Sequence, residues 1–164
     1  MQTAKDTFYV MMRDGVSGLN AQRTAVVRGV LRPGVLVEEN ELPMAISMPD
    51  VFCLRWTGVT IDTTGTVPLA KLQCEIRYET AGTEAAGGLD RGRLLATMDG
   101  EINAVLAGET QSAAKMDFSQ GTPTPAGTRI FWSDPAFRPA EIAGERLRRT
   151  VVIEVWSVEE AGER

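Results

Sequence analysis

The sequence predicts an α+β fold: a single domain in which a mainly antiparallel or mixed β-sheet is packed by two amphipathic helices. Three observations carry that prediction. Leu72, Cys74, Ile76 and Tyr78 alternate with Lys71, Gln73, Glu75, Arg77 and Glu79, the period of two that a half-buried strand requires. Past a small-residue loop at 81–88 the period changes, and Leu94, Leu95, Met98, Ile102, Val105 and Leu106 fall on one helical stripe. A second stripe lies near the N-terminus. Each apolar face needs a partner, and helices layered on a sheet supply one.

Phe8, Met11, Met12, Val16 and Leu19 recur at helical spacing over 3–19, with Thr3 or Asp6 placed to cap the start and Gly18 and Asn20 suited to the end. Gly15 weakens this helix by about 1 kcal/mol, and its Met and Phe side chains read as core packing. Residues 24–30 read as a first strand and Arg32-Pro33-Gly34 as a turn, since proline fixes φ and glycine admits positive φ. Val35-Leu36-Val37 resumes a strand before the polar turn of Glu38, Glu39 and Glu41. Pro43 and Pro49 bracket an apolar segment, Met44 to Met48, that is unsuited to a central strand. Residues 51–57 form a second strand with Phe52, Leu54 and Trp56 on one face, extended past Gly58 by 59–62. After a turn at 63–66, the third strand runs over 69–80.

The second helix starts near Leu89 with Asp90 as its cap and stops near Gly108. Gly92 and Gly100 each cost it about 1 kcal/mol relative to alanine. They mark either a close approach of another backbone or tolerated weak points. Gly121, Pro123, Pro125 and Gly127 make 119–128 a projecting surface loop or extended arm. Arg129 to Trp132 is a short strand, Asp134-Pro135 and Arg138-Pro139 frame a turn, and β-branched residues mark a last strand over 147–158. The acidic tail 159–164 is expected to fray. No linker separates two cores, so 1–164 reads as one domain.

A chain of 164 residues with 43% hydrophobic side chains can bury a core without staples. Its 17 basic and 22 acidic side chains are mixed along the chain and give a net charge of −5, which argues against a dedicated nucleic-acid-binding domain. No apolar core of a signal peptide opens the sequence, and no run nears the roughly 18 apolar residues of a membrane span. A cytoplasmic or assembled-particle location is expected.

The chain has no histidine, which removes the commonest general base and both the serine–histidine and cysteine–histidine nucleophile pairs. Cys53 and Cys74, on separate strands, are too few for a zinc cluster. If those strands pair, the thiols are neighbours; two buried free thiols are preferred over a disulfide. Glu38, Glu39 and Glu41 crowd one turn without metal-ligand spacing. Gly87-Gly88-Leu89-Asp90-Arg91-Gly92 opens a helix after a strand, but its glycine spacing does not match a dinucleotide fingerprint. No catalytic residue, metal or cofactor is therefore expected. Arg146, Arg148 and Arg149 are the one basic cluster, and on a strand Arg146 and Arg148 share a face while Arg149 takes the other.

Phe8-Tyr9-Val10-Met11-Met12, then Cys74-Glu75-Ile76-Arg77-Tyr78-Glu79-Thr80, then Gly88-Leu89-Asp90-Arg91-Gly92-Arg93-Leu94-Leu95 running on to Met98-Asp99-Gly100-Glu101, and the closing β-rich strand follow in sequence. As an order of elements over nearly the whole chain, this resembles phage tail terminator (tail completion) proteins. The resemblance implies a small α+β virion subunit, not an enzyme, that forms a homohexameric ring on the tail tube. Such a ring stops tube growth and presents a surface to the head–tail connector or stopper protein. It would also meet the sheath of a contractile tail and let DNA pass without sequence-specific contact. The expected location is the tail–neck region of the virion, with host cytoplasm during assembly. Glu38, Glu39, Glu41, Met44, Ile46, Thr122, Thr124, Arg146 and Arg148 are the candidate contact residues. Another neck or tail component, such as a head–tail stopper or baseplate subunit, is the nearest alternative, and a small cytosolic enzyme is a third.

Overall fold

The computed structural model of the chain describes residues 1–38, 48–108 and 110–159. Its helices are α1 (Gln2–Leu19) and α2 (Arg91–Leu106). The strands are β1 (Thr24–Val27), β2 (Val30–Pro33), β3 (Val35–Val37), β4 (Phe52–Asp62), β5 (Leu69–Thr80), β6 (Ser112–Asp117), β7 (Thr124–Trp132), β8 (Ala136–Phe137), β9 (Glu141–Ala143) and β10 (Arg146–Val158). The main sheet runs β3-β4-β5-β10-β7-β6, with β8 and β9 also paired to β10. Among the described strands only the β3–β4 pair is parallel, so the sheet is mixed and mostly antiparallel. This is the predicted α+β domain, with two helices among the described residues.

β5 and β10 pair along their whole common length, from Leu69 opposite Val158 to Thr80 opposite Leu147. That register sets Leu72, Cys74, Ile76 and Tyr78 beside Val151, Ile153 and Val155 on one face. Phe8, Met12 and Val16 of α1 and Leu95, Met98, Ile102 and Leu106 of α2 cover them. Burying one such side chain contributes about 1.5–3 kcal/mol. Phe8 sits at the centre, edge-on to both Trp56 and Trp132. Trp132 in turn donates its indole N–H to Leu106 O at 2.9 Å, tying β7 to the end of α2.

A smaller cluster of Ala25, Val27, Leu36, Val51 and Cys53 lies on the other face. Leu36 faces it while Val35 and Val37 face the main core, as alternation requires. Cys53 belongs to this cluster and Cys74 to the main one, with Cys53 opposite Arg77 and Cys74 opposite Trp56. Both thiols are buried and neither is in a disulfide. The strands do pair, yet the two cysteines occupy opposite faces and are not neighbours.

Several local readings are corrected. Residues 24–30 are not one strand: Arg28 and Gly29 take φ of 50° and 79° and turn the chain back, so Val27 faces Val30. Two successive positive φ values match the twist of a tight hairpin. Asp90 holds the N-cap position of α2 as expected, but its side chain makes no cap bond; its carboxylate accepts the Thr83 N–H and hydroxyl at 2.8 and 2.7 Å, closing the preceding loop. Neither Thr3 nor Asp6 caps α1, which starts at Gln2 with Met1 in the cap position.

The close helix approach occurs at Gly15, where a Cβ would stand 2.8 Å from Val105 Cγ1; Gly92 and Gly100 face open space. Only the start of 119–128 is a turn, since β7 begins at Thr124 and pairs back to Asp117 of β6. β6 itself was not legible, because Ser112-Ala113-Ala114 lacks the β-branched signature of a strand. Residues 160–164 lie outside the described residues.

Candidate functional site

Polar side chains of the sheet are engaged mostly with one another. Glu79, 2% exposed, accepts from Arg146 and Arg148 on the neighbouring strand. Arg146 and Arg148 do share a face, and part of their charge is committed to that buried carboxylate. Arg149, on the other face, lies 3.1 Å from Asp99 Oδ1 through Nε, off the hydrogen-bond line. The same Asp99 oxygen accepts the Tyr78 hydroxyl. Burial pushes the Tyr78 phenol far above its ordinary value, and the bond to Asp99 adds to the shift.

Glu38 stands 3.7 Å from Arg77 and 4.0 Å from Arg55. Glu39, Glu41, Met44 and Ile46 lie outside the described residues. Thr122 is exposed in the β6–β7 turn and Thr124 is the exposed first residue of β7. The five described candidates thus do not gather into one site: Glu38 follows β3, the two arginines lie beside Glu79, and the two threonines belong to the β6–β7 hairpin.

The glycine loop before α2 is folded on itself. Gly87, Gly88 and Leu89 donate their N–H groups to Glu84, Thr83 and Ala86 carbonyls, so these amides are turned inward rather than towards a ligand. Among the described residues, no three His, Cys, Asp or Glu side chains gather as a metal cluster.

Two surfaces stand out instead, and neither was among the candidates. The first is the end of the β4–β5 hairpin, where every residue from Val59 to Val67 is exposed. Val59 and Ile61 pair across from Leu72 and Ala70, which are fully buried, so they continue the apolar row of the main core beyond the cover of the helices. Asp62 closes the turn by accepting the Thr64 N–H and hydroxyl at 2.9 and 2.6 Å. These bonds hold its carboxyl below the ordinary range. β3 flanks β4 only as far as Leu54, so the outer margin of 57–62 pairs with no other described strand.

The opposite margin of the sheet is treated differently. A bulge after Ala114 turns the Met116 N–H out of the ladder, and Thr7 Oγ1 on α1 accepts it at 2.9 Å. A helix therefore engages the β6 margin at Met116, while the margin of β4 over 57–62 meets no further strand among the described residues. Exposed edges are the places where sheets take up another chain.

The second surface is the β1–β2 hairpin. Ala25 and Val27 face the smaller cluster, while Val26 and Leu31, directly paired, point away from it with 58% and 67% exposure. Val30, opposite Val27 at the turn, is also exposed but on the other side of the hairpin. The signals were present in the sequence: Gly29 interrupts a β-branched run, and the Val59/Ile61 alternation continues past Gly58 with no third helix to cover it.

Fold and surfaces together define a one-domain α+β scaffold with a mixed sheet and two exposed apolar hairpins. No protein-family model matches the chain, and no curated protein matches it.

Proposed function

We propose that this chain is a structural subunit of a bacteriophage tail: a ring-forming tail terminator that caps the tail tube, stops its growth and offers the surface on which the head connector docks. The observation that carries the reading is the contrast between the two sheet margins. α1 engages the β6 side through Thr7, whereas the outer margin of β4 over 57–62 pairs with no further strand among the described residues and leaves Val59 and Ile61 exposed. A ring subunit needs a stiff body with unlike contact surfaces and no reacting groups. The order of elements that resembles tail terminators supports the same reading.

Electron microscopy of the purified protein, alone and mixed with tail tubes, tests it. Rings seated on tube ends are expected, and phage lacking the protein should make tails of uncontrolled length. Tails of normal length that fail to join heads would assign the chain to a stopper instead. A monomer at every concentration, with no affinity for tubes, would overturn both.

A further inference from the structure

The two exposed hairpins lie at opposite ends and on opposite faces of the sheet. The β1–β2 hairpin rests on Val51 and Cys53, at the start of β4, on the face away from the helices. Val59 and Ile61 lie on the helix side. Asp62 ends β4 nine residues after Cys53, roughly 30 Å away at about 3.3 Å per residue. Within one chain these surfaces cannot meet. Between two copies placed head to tail they can.

We infer that the β1–β2 hairpin of one copy docks on the projecting β4–β5 hairpin of the next, setting Val26 and Leu31 against Val59 and Ile61. The inference rests on the ring reading above and names the contact that would build the ring.

Charge favours this occupant. Residues 24–33 carry two arginines, Arg28 and Arg32, and no acid, whereas residues 57–69 carry Asp62 and no base. Each segment lacks the opposite charge that the other supplies, so the apolar faces meet with attraction at the rim rather than repulsion. Geometry favours it too. The open margin of β4 over 57–62 has room for a short added strand, and β1 and β2 are four residues each and join no third strand among the described residues. Strand addition of this kind satisfies backbone groups that an edge leaves in water. Because donor and acceptor surfaces differ, the contact is heterologous, and repeated contacts of that type close into a ring when the rotation between copies permits.

Two variants test the pairing, each altering only exposed side chains. One carries Val26→Asp with Leu31→Asp and so loses the donor. The other carries Val59→Asp with Ile61→Asp and so loses the acceptor. Masses are measured by light scattering coupled to gel filtration, and folding is checked by thermal melting. If wild type forms rings, each variant alone should run as a folded monomer of 17.8 kDa. Their mixture should form a one-to-one dimer and go no further, since only one competent donor and one competent acceptor remain.

Arg28→Glu, which removes no apolar contact, keeps the test open if either double variant misfolds. It should raise the concentration at which wild-type rings assemble by a few-fold, and Asp62→Arg in the same chain should reverse the shift. Rings that persist in the donor variant, or two monomers that stay monomeric when mixed, would overturn the pairing and leave the ring reading standing. A wild-type protein that is monomeric throughout would overturn both.

Discussion

Arg23 and Glu101 form a two-point ion pair that is nearly sealed from water, their side chains 8% and 9% exposed. Arg23 Nε donates to Oε2 and a terminal nitrogen to Oε1, while its other terminal nitrogen reaches Asp50 O at 2.7 Å. Asn20 adds a bond to the same carboxylate. Four segments are joined at this point: the end of α1, the approach to β1, the approach to β4, and α2. Truncating one partner strands the other, at a cost of about 3–5 kcal/mol for a buried pair. Arg23→Ala should therefore destabilise the fold severely. Arg23→Met with Glu101→Leu should cost much less, because no lone charge remains. Urea unfolding of both variants checks the contrast.

Gly15→Ala and Gly100→Ala should move stability in opposite directions. At Gly15 a methyl would meet two methyls of Val105, at 2.8 and 3.0 Å, and a β-branched side chain is stiff at χ1. Overpacking of this kind costs about 1–3 kcal/mol. At Gly100 nothing lies within 4 Å, so alanine should add about 0.4–1 kcal/mol. Thermal melting separates the two, and Val105→Ala should relieve Gly15→Ala.

Met98→Asp or Ile102→Asp should abolish soluble folded protein. Both positions are buried against the sheet, where an uncompensated charge costs several kcal/mol. Melting like that of the wild type would remove α2 from the core.

Tyr78 should stay protonated in the folded chain well above its ordinary value of 10.0. Its folded-state pKa is raised, so the associated stability is fully present below pH 10 and is lost as pH rises beyond it. The chain has two tyrosines. An alkaline absorbance titration should lack the signal of one of them until the protein unfolds, and Tyr78→Phe should abolish that delayed step.

Where periodicity was long and unbroken, the sequence was legible. Residues 69–80 of β5 were read to the residue, because alternation over that length admits one face assignment. α1 and α2 were placed within two or three residues of their ends. Reading failed where a single residue redirects the chain. Arg28 at positive φ splits what looked like one strand, and β6 is held by its pairing with β7 and by α1 rather than by its own composition. The acidic and arginine candidates drew attention as charges, yet Arg146 and Arg148 turn towards Glu79. The exposed hairpins were missed for a related reason. Alternation marks a face as apolar, but only the tertiary arrangement decides whether anything covers it.

β10 comes after every other described strand in the chain and yet lies in the middle of the sheet, bonded to β5, β7, β8 and β9. Until it arrives, β5 has no partner on that side, and β6 with β7 has no sheet to join. Contacts between such distant segments form late, since a long loop must close before they bring any gain. The chain therefore cannot settle piecemeal during synthesis. A growing chain that stops short of residue 146 has no strand to join β5 to β7, so its β3-β4-β5 and β6-β7 groups both keep an unpaired margin that could meet other chains.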